Sequence, residues 1–269
     1  MTEKPLILIS NDDGIDSPGI AALAAALDPL GELLIVAPRE QQSGMGHSFP
    51  QFNDGRLFER TVRYNGQSWP GYAANASPAQ AVQHGVVELA ARKPDLVVSG
   101  INFGENVGTG ITGSGTVGAA IEASALGIPA LAVSIETDPS LHHNPDDSVD
   151  FTAAIHFTRL FADRWLNGER PAHVDVLKLD IPASATPESA WRMTRLERSR
   201  YFLPLPPLRR QLGDVGRLGY TVDYHAPVDP QSDVAAIREG VVSVTPLTID
   251  LTAMISAAEI ERLMNGKKN

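Results

Sequence analysis

The chain has 269 residues, of which 43% are hydrophobic and 20% charged. This is ordinary globular usage and excludes an intrinsically disordered chain. Its 22 basic and 32 acidic side chains give a net charge of −10, so repulsion disfavours broad binding to nucleic acid or to an anionic membrane. The absence of cysteine excludes disulfides, thiol catalysis and the common zinc sites. No apolar run approaches ~20 residues and the N-terminal one is too short for a secretory leader, so we expect a cytoplasmic protein.

Short apolar runs alternate with helical patterns, which predicts an α/β domain with a parallel sheet and crossover helices. The predicted strands are Leu6–Ser10, Leu33–Ala37, Leu96–Ser99, Ala130–Ser134, Val174–Ile181 and Gly240–Leu247. The first four are continuous rather than alternating, as expected for strands buried on both faces. The predicted helices are Pro18–Leu27, Pro78–Ala91, Thr116–Leu126, Asp147–Trp165 and Ala257–Met264. Ser17 and Ser77, each followed by proline, are the predicted N-caps of the first two.

A change in composition marks about residues 198–232, which are rich in proline, glycine and aromatic residues and lack helical periodicity. We predict an extended C-terminal hairpin arm here, attached to one α/β domain over residues 1–269. Tyr201, Phe202, Leu203 and Leu205 would form an unusual solvent-exposed face, which favours a role in subunit contact over a plain surface loop.

Two adjacent carboxylates follow the first predicted strand, in Asn11-Asp12-Asp13-Gly14. Ligands of open parallel sheets bind beyond the carboxyl ends of the strands. Asp12 and Asp13 would repel each other there unless a proton or a cation lies between them, and their oxygens suit a hard divalent ion. The alternative is that one of them only caps the turn, but Ser17 already supplies a cap for the helix that follows.

Two further loops follow predicted strands at the same edge of the sheet. The loop 41–48 carries Ser43 and Gly44, whose hydroxyl and backbone amide suit an ion or an anion. The glycine-rich loop after Ser99 runs into a helix at Ser114, Gly115 and Thr116, where free N–H groups favour phosphate.

Other motifs are weaker. G-x-G-x-x-G matches residues 108–113 and 113–118 by letter, but the preceding strand ends too early for a dinucleotide site, which excludes NAD. No Walker motif is present, and the pair His142-His143 lies in a polar stretch that indicates a solvated loop.

Five segments in order resemble the stationary-phase survival protein SurE family: ILISNDDGIDSPGI, VAPREQQSG, VVSGINFGENVG, SGTVGAAIEASALGIPALAVS and SDVAAIREGVVSVTPLTIDLTA. The resemblance implies a metal-dependent phosphatase that hydrolyses nucleoside 5′- and 3′-monophosphates. It implies a doubly wound, mostly parallel α/β fold of the Rossmann-like kind, whose extended C-terminal hairpin arm builds homodimers or homotetramers. It also implies one Mg²⁺ or Mn²⁺ per subunit, held by Asp12, Asp13, Ser43 and Asn102.

In the mechanism inferred from these residues, Asp12 and Asp13 are the catalytic carboxylates, and they act by holding the metal. The phosphate is held by Asn11, Gly44, Asn106, Ser114, Gly115 and Thr116. Direct attack by Asp12 or Asp13 is the competing mechanism. This chain departs from the family pattern at Gln80, where an acid is usual, and at Gly113, where tyrosine is usual. These departures leave open a non-catalytic nucleotide-binding or assembly module, and a broad acid or polyphosphate phosphatase is a third possibility.

Overall fold

A computed structural model describes residues 4–142, 148–223, 225–253 and 255–266. The strands are β1 (Leu6–Ser10), β2 (Glu32–Pro38), β3 (Leu57–Tyr64), β4 (Gln67–Ala74), β5 (Leu96–Phe103), β6 (Ala130–Ile135), β7 (Val176–Ile181), β8 (Trp191–Met193), β9 (Phe202–Leu205), β10 (Gly219–Val222) and β11 (Val242–Leu247). The helices are α1 (Pro18–Leu27), α2 (Pro78–His84), α3 (Gly115–Ala125), α4 (Thr152–Asn167), α5 (Asp233–Arg238) and α6 (Ala257–Met264). None of the helices so described is long and apolar enough to cross a bilayer.

The central sheet has the order β3-β4-β2-β1-β5-β6-β7-β11-β8. Strands β4, β2, β1, β5, β6 and β7 form a run of parallel pairs, and β11 then pairs antiparallel with β7. Every residue of β1, β6 and β7 is buried, because helices cover both faces of this region. The chain moves outward from β1 through β2 and then returns to place β5 on the other side. This reversal makes the carboxyl ends of β1 and β5 a topological switch point, and the predicted doubly wound α/β fold is confirmed.

Local signals account for the elements that match. Ser17 and Ser77 accept hydrogen bonds from the backbone amides of Ile20 and Gln80, as predicted for N-caps that precede proline. Helix α2 ends at His84 and continues as a wider turn over Gly85–Leu89, so the predicted single helix to Ala91 is too long. Helix α4 begins at Thr152, while Asp147, its predicted start, lies outside the described residues.

The antiparallel edge hairpin of β3 and β4 was not predicted from the sequence. Tyr64 pairs with Gln67 across a two-residue loop formed by Asn65 and Gly66, both with positive φ. An Asn-Gly pair between two strands is the preferred sequence for such a turn. This signal was therefore present in the sequence. Helix α5 was also missed, although Ser232 is its N-cap, whereas the short strand β8, missed as well, carries no comparable signal.

The predicted arm contains an antiparallel hairpin of β9 and β10 that stands apart from the central sheet. Leu203 and Leu205 on β9 are exposed, as expected. Tyr201 is not, and its predicted exposure is wrong. Its ring is buried against Val107, Val234 and Ile237, because α5 packs beneath the base of the arm.

Candidate functional site

The turn after β1 places Asp12 and Asp13 at the switch point. Asn11 shapes this turn: its side-chain oxygen accepts from the Gly14 amide, and its side-chain nitrogen donates to the Gly14 carbonyl and the Ser17 hydroxyl. Because its polar atoms are used within the turn, Asn11 lies below the site and supports the two carboxylates.

Asp12 is held by the first turn of α3. The Thr116 hydroxyl donates to Asp12 Oδ1, and the backbone amides of Gly115 and Thr116 also favour its ionised form. A Cβ at Gly115 would lie 2.7 Å from the Cβ of Asp12, so only glycine permits this close approach. The helix N-terminus predicted to hold phosphate thus contacts a carboxylate of the protein, and burial still raises the pKa of Asp12.

Asp13 is tied to the strand next to β1. Its Oδ2 accepts from the Phe103 amide at 3.1 Å, and its Oδ1 accepts from the Gln41 side chain at 3.1 Å. Burial, followed by the charge of Asp12, raises the pKa of Asp13 to about 7. These two contacts connect the loops after β1, β2 and β5.

A cavity of about 540 Å³ opens above these loops. Of the predicted site residues it is lined by Asp12, Ser43, Gly44, Asn102, Asn106 and Ser114. Asp13, Gly115, Thr116 and Asn11 are not in its lining, and lie at or below its floor through the contacts just described. Asn102 donates its side-chain nitrogen to the Gly104 carbonyl at 2.7 Å, which leaves its amide oxygen as the atom for a ligand.

Further cavity-lining residues were not singled out as site residues in the sequence. They include Glu105, His142, Arg200, Phe202 and Tyr220, from the β5 loop, the loop after β6 and the arm. The solvated-loop interpretation is wrong for His142, which is half-buried in the wall, and His143 lies outside the described residues. Glu105 lies in the loop after β5 that the sequence already indicated, whereas no local signal identifies the other four, because they reach the cavity through long-range packing.

A buried cluster of charged side chains supports the loop that carries Asn106. The cluster was not predicted from the sequence. Lys178 on β7 forms ion pairs with Asp180 and with Asp233 at the start of α5, and all three side chains are fully buried. Asp180 accepts from the Asn106 amide at 2.8 Å, and Asp233 accepts from the Gly108 amide at 3.0 Å. The cluster therefore fixes the backbone on both sides of residue 107.

The two departures from the family pattern have different settings. Gln80 forms a reciprocal capping box with Ser77 and accepts from the Asn53 side chain, so it acts in the start of α2 and does not line the cavity. Gly113 does line the cavity, and a Cβ there would meet nothing within 4 Å. Only the change at Gly113 alters the shape of the cavity.

The donor set fits a hard divalent cation. Asp12 and Asp13 are 4% and 7% exposed, and neither forms an ion pair with a lysine or arginine of the described residues. Two buried carboxylates without a counter-charge are costly, and a cation offsets that cost. No cluster of three or more His, Cys, Asp or Glu side chains suited to a metal occurs in the part of the chain described. The remaining ligands would be neutral oxygens such as those of Ser43 and Asn102.

Three comparisons with known proteins point to the same family. A family model described as Survival protein SurE matches residues 7–202. A Methanocella arvoryzae protein named 5′-nucleotidase SurE is 39% identical over 265 residues, which cover 96% of this chain and 97% of that protein. A Methanothermobacter thermautotrophicus protein of the same name is 42% identical over 221 residues, 81% of each chain. The crystal structure of SurE protein from Aquifex aeolicus superposes with a TM-score of 0.73 at 32% identity, covering 97% of this chain and all of that one.

Proposed function

This chain belongs to the SurE family, and we propose that it is a metal-dependent 5′-nucleotidase that hydrolyses nucleoside monophosphates to nucleoside and phosphate. The observation that carries the proposal is the pair of adjacent buried carboxylates at the switch point, of which Asp12 lines one cavity together with neutral oxygen donors. The names of its relatives supply the substrate class. A 3′-nucleotidase activity at the same site belongs to the proposal.

Asp12, Asp13, Ser43 and Asn102 would hold one Mg²⁺ or Mn²⁺. When bound, such an ion polarises a phosphoryl oxygen and lowers the pKa of a coordinated water. The chain's own residues fix this geometry in advance: Thr116 orients Asp12, and the Phe103 amide and Gln41 orient Asp13. Carboxylates held in this way need no rearrangement during the reaction. Electrostatic catalysis depends on groups that are oriented in advance toward the charge of the transition state.

The phosphate would be held by groups that converge on the cavity from the β5 loop and the start of α3. Asn106 donates one side-chain N–H to the Ser134 hydroxyl at 2.9 Å, and its second N–H remains for a phosphate oxygen. Ser114 and Gly44 line the same space. Gly115 and Thr116 contribute indirectly, because they position Asp12, and Asn11 contributes by shaping the turn beneath it.

Direct attack by Asp12 on phosphorus remains the competing mechanism, since its carboxylate lines the cavity. The Thr116 hydroxyl and two backbone amides already bind that carboxylate, which makes it a poorer nucleophile than a free one. Acid quenching during turnover of ³²P-labelled substrate separates the mechanisms, because only direct attack leaves label on the protein.

Assembly and location are parts of the proposal that rest on the sequence and on the arm. The tip of the arm exposes large apolar side chains, with Leu208 at 100% and Leu212 at 93% exposure. A second copy of the chain would cover them, as in a homodimer or homotetramer. We place the protein in the cytoplasm.

The test is phosphate release from a panel of nucleoside 5′- and 3′-monophosphates, with Mg²⁺ and with Mn²⁺. Turnover of 5′-monophosphates is the expected result. Binding without turnover would replace the proposal with a nucleotide-binding module. A higher kcat/KM for polyphosphate or for non-nucleotide esters would replace it with a broad phosphatase.

A further inference from the structure

One face of the arm hairpin is turned toward the cavity. Phe202 pairs with Val222 and Pro204 pairs with Tyr220 in the antiparallel register of β9 and β10. Because side chains alternate between the faces of a strand, Phe202 and Tyr220 share a face and Thr221 lies on the opposite one. Phe202 and Tyr220 both line the cavity, whereas Thr221 is exposed. The hairpin therefore has a cavity face and a solvent face.

The rings on the cavity face are braced from several directions. The Phe202 and Tyr220 rings meet edge to face with their centroids 5.3 Å apart. The Tyr220 hydroxyl lies 2.7 Å from Nδ1 of His142, in the loop after β6. Phe202 packs against the buried Tyr201 ring at 4.8 Å. Rings held in this way lose little freedom when a ligand binds.

The cavity is larger than the phosphate group requires. Asp12, Asn102 and Ser114 line it together with Phe202 and Tyr220, and its volume of about 540 Å³ lies in the range of small-molecule sites. A phosphate bound near the aspartates leaves the remainder of the substrate to contact the aromatic residues. Flat aromatic bases stack well on such rings, whereas polyol chains have no π-face.

We propose that Phe202 and Tyr220 form a nucleobase-binding wall, so that the arm supplies substrate specificity as well as any subunit contact. This inference rests on the proposed nucleotidase function and deepens it. The wall selects phosphate esters that carry an aromatic base over esters of simple polyols. It does not distinguish purines from pyrimidines by hydrogen bonds, since stacking accepts every base.

The test compares the substitutions Phe202→Ala and Tyr220→Ala with Thr221→Ala, the matched control from the solvent face of the same hairpin. For each protein, kcat and KM are measured with adenosine 5′-monophosphate and with glycerol phosphate. Loss of one stacking ring is expected to lower kcat/KM for the nucleotide by about 10-fold, through KM, with glycerol phosphate unchanged. Tyr220→Phe, which keeps the ring, should retain most of the preference.

A second measurement is independent of catalysis and of metal. Adenosine, which lacks phosphate, is titrated calorimetrically into each metal-free protein, and light scattering verifies that the particle mass is unchanged. Weaker adenosine binding in the two alanine variants, but not in the control, supports the wall. Equal losses for both phosphate esters, or adenosine binding that is unchanged in the variants, would overturn it. If the unaltered protein hydrolyses neither ester, the proposed function fails, and the adenosine titration still decides the wall.

Discussion

Removing the lysine of the buried charge cluster gives the sharpest test of how the site is supported. Lys178 is fully buried between Asp180 and Asp233. Burial alone would lower the pKa of Lys178, but the two carboxylates outweigh it and raise that pKa, so the ammonium stays charged. The substitution Lys178→Met keeps most of the side-chain volume and removes only the charge and its hydrogen bonds.

The expected cost follows from the two carboxylates that remain. Breaking a buried ion pair by removing one partner costs about 3–5 kcal/mol, because the other charge stays desolvated. Domains have free energies of unfolding of roughly 5–15 kcal/mol, so the variant should lose a large part of its stability and remain folded only under mild conditions. The substitution Asp180→Asn, added to Lys178→Met, should restore part of the loss by removing one uncompensated charge.

The loss should also depend on pH. Burial raises the pKa of Asp180 even beside Lys178, and without the ammonium this effect is stronger. A carboxyl whose folded-state pKa lies above its unfolded value stabilises the protein fully below the unfolded pKa, and this stabilisation is lost as the pH rises through the folded one. The deficit of Lys178→Met relative to the unaltered protein should therefore be smaller at pH 5 than at pH 8.

Urea unfolding followed by circular dichroism measures this free energy at both pH values, with an unchanged dependence on urea as the sign that compactness is preserved. Lys93→Met, at an exposed position, is the matched control and should change stability by less than about 0.5 kcal/mol. A loss below about 1 kcal/mol in Lys178→Met, or a deficit that grows toward pH 5, would refute the reasoning.

Further predictions concern the metal, the carboxylates, a second buried acid and the arm. Chelation with EDTA should abolish phosphatase activity and added Mg²⁺ or Mn²⁺ should restore it; full activity in protein shown by mass spectrometry to be metal-free would contradict the metal site. Asp12→Asn and Asp13→Asn should each lower kcat by ~10²-fold or more with unchanged circular dichroism, and near-normal kcat at saturating metal would exclude that residue as a ligand. Burial raises the pKa of Glu105 to about 7, so its stabilising effect is present below about pH 4.5 and lost toward pH 7. Glu105→Gln should remove this loss, so that its free energy of unfolding rises by about 3 kcal/mol relative to that of the unaltered protein between pH 4 and pH 8. Free energies of unfolding that change in parallel with pH in the two proteins would argue against a buried acid. Deleting residues 203–223 should reduce the particle mass seen by light scattering, and an unchanged number of chains per particle would show that the arm does not mediate assembly.

The sequence by itself determined the elements whose signals are local. Continuous apolar runs predicted β1 and β6, because a strand covered on both faces favours apolar side chains at successive positions. Serine followed by proline marked the starts of α1 and α2, because serine accepts a hydrogen bond from a backbone amide of the first turn and proline has a φ already fixed for the helix. The Asn65-Gly66 turn was equally local, and its hairpin was predictable in principle.

The same reasoning brought together half of the candidate site. Asp12 and Ser43 follow strands of a parallel sheet and Asn102 lies near the end of β5, and the carboxyl ends of such strands meet at one edge whatever the details of packing. The sequence also marked the start of α3, although it did not show that Gly115 and Thr116 bind Asp12. That contact depends on how closely the helix approaches the turn after β1.

Only the tertiary structure decided the other half. Lys178 and Asp233 are separated by 55 positions, and His142 and Tyr220 by 78, so no periodicity or spacing connects them. Which residues share a cavity wall depends on the order of the strands and on the fold of the arm, which put Phe202 and Tyr220 beside the β5 loop. A lysine or a tyrosine is as compatible with a solvated surface as with these positions. Burial, which gives them their energetic and chemical roles, is a property of the packed chain as a whole.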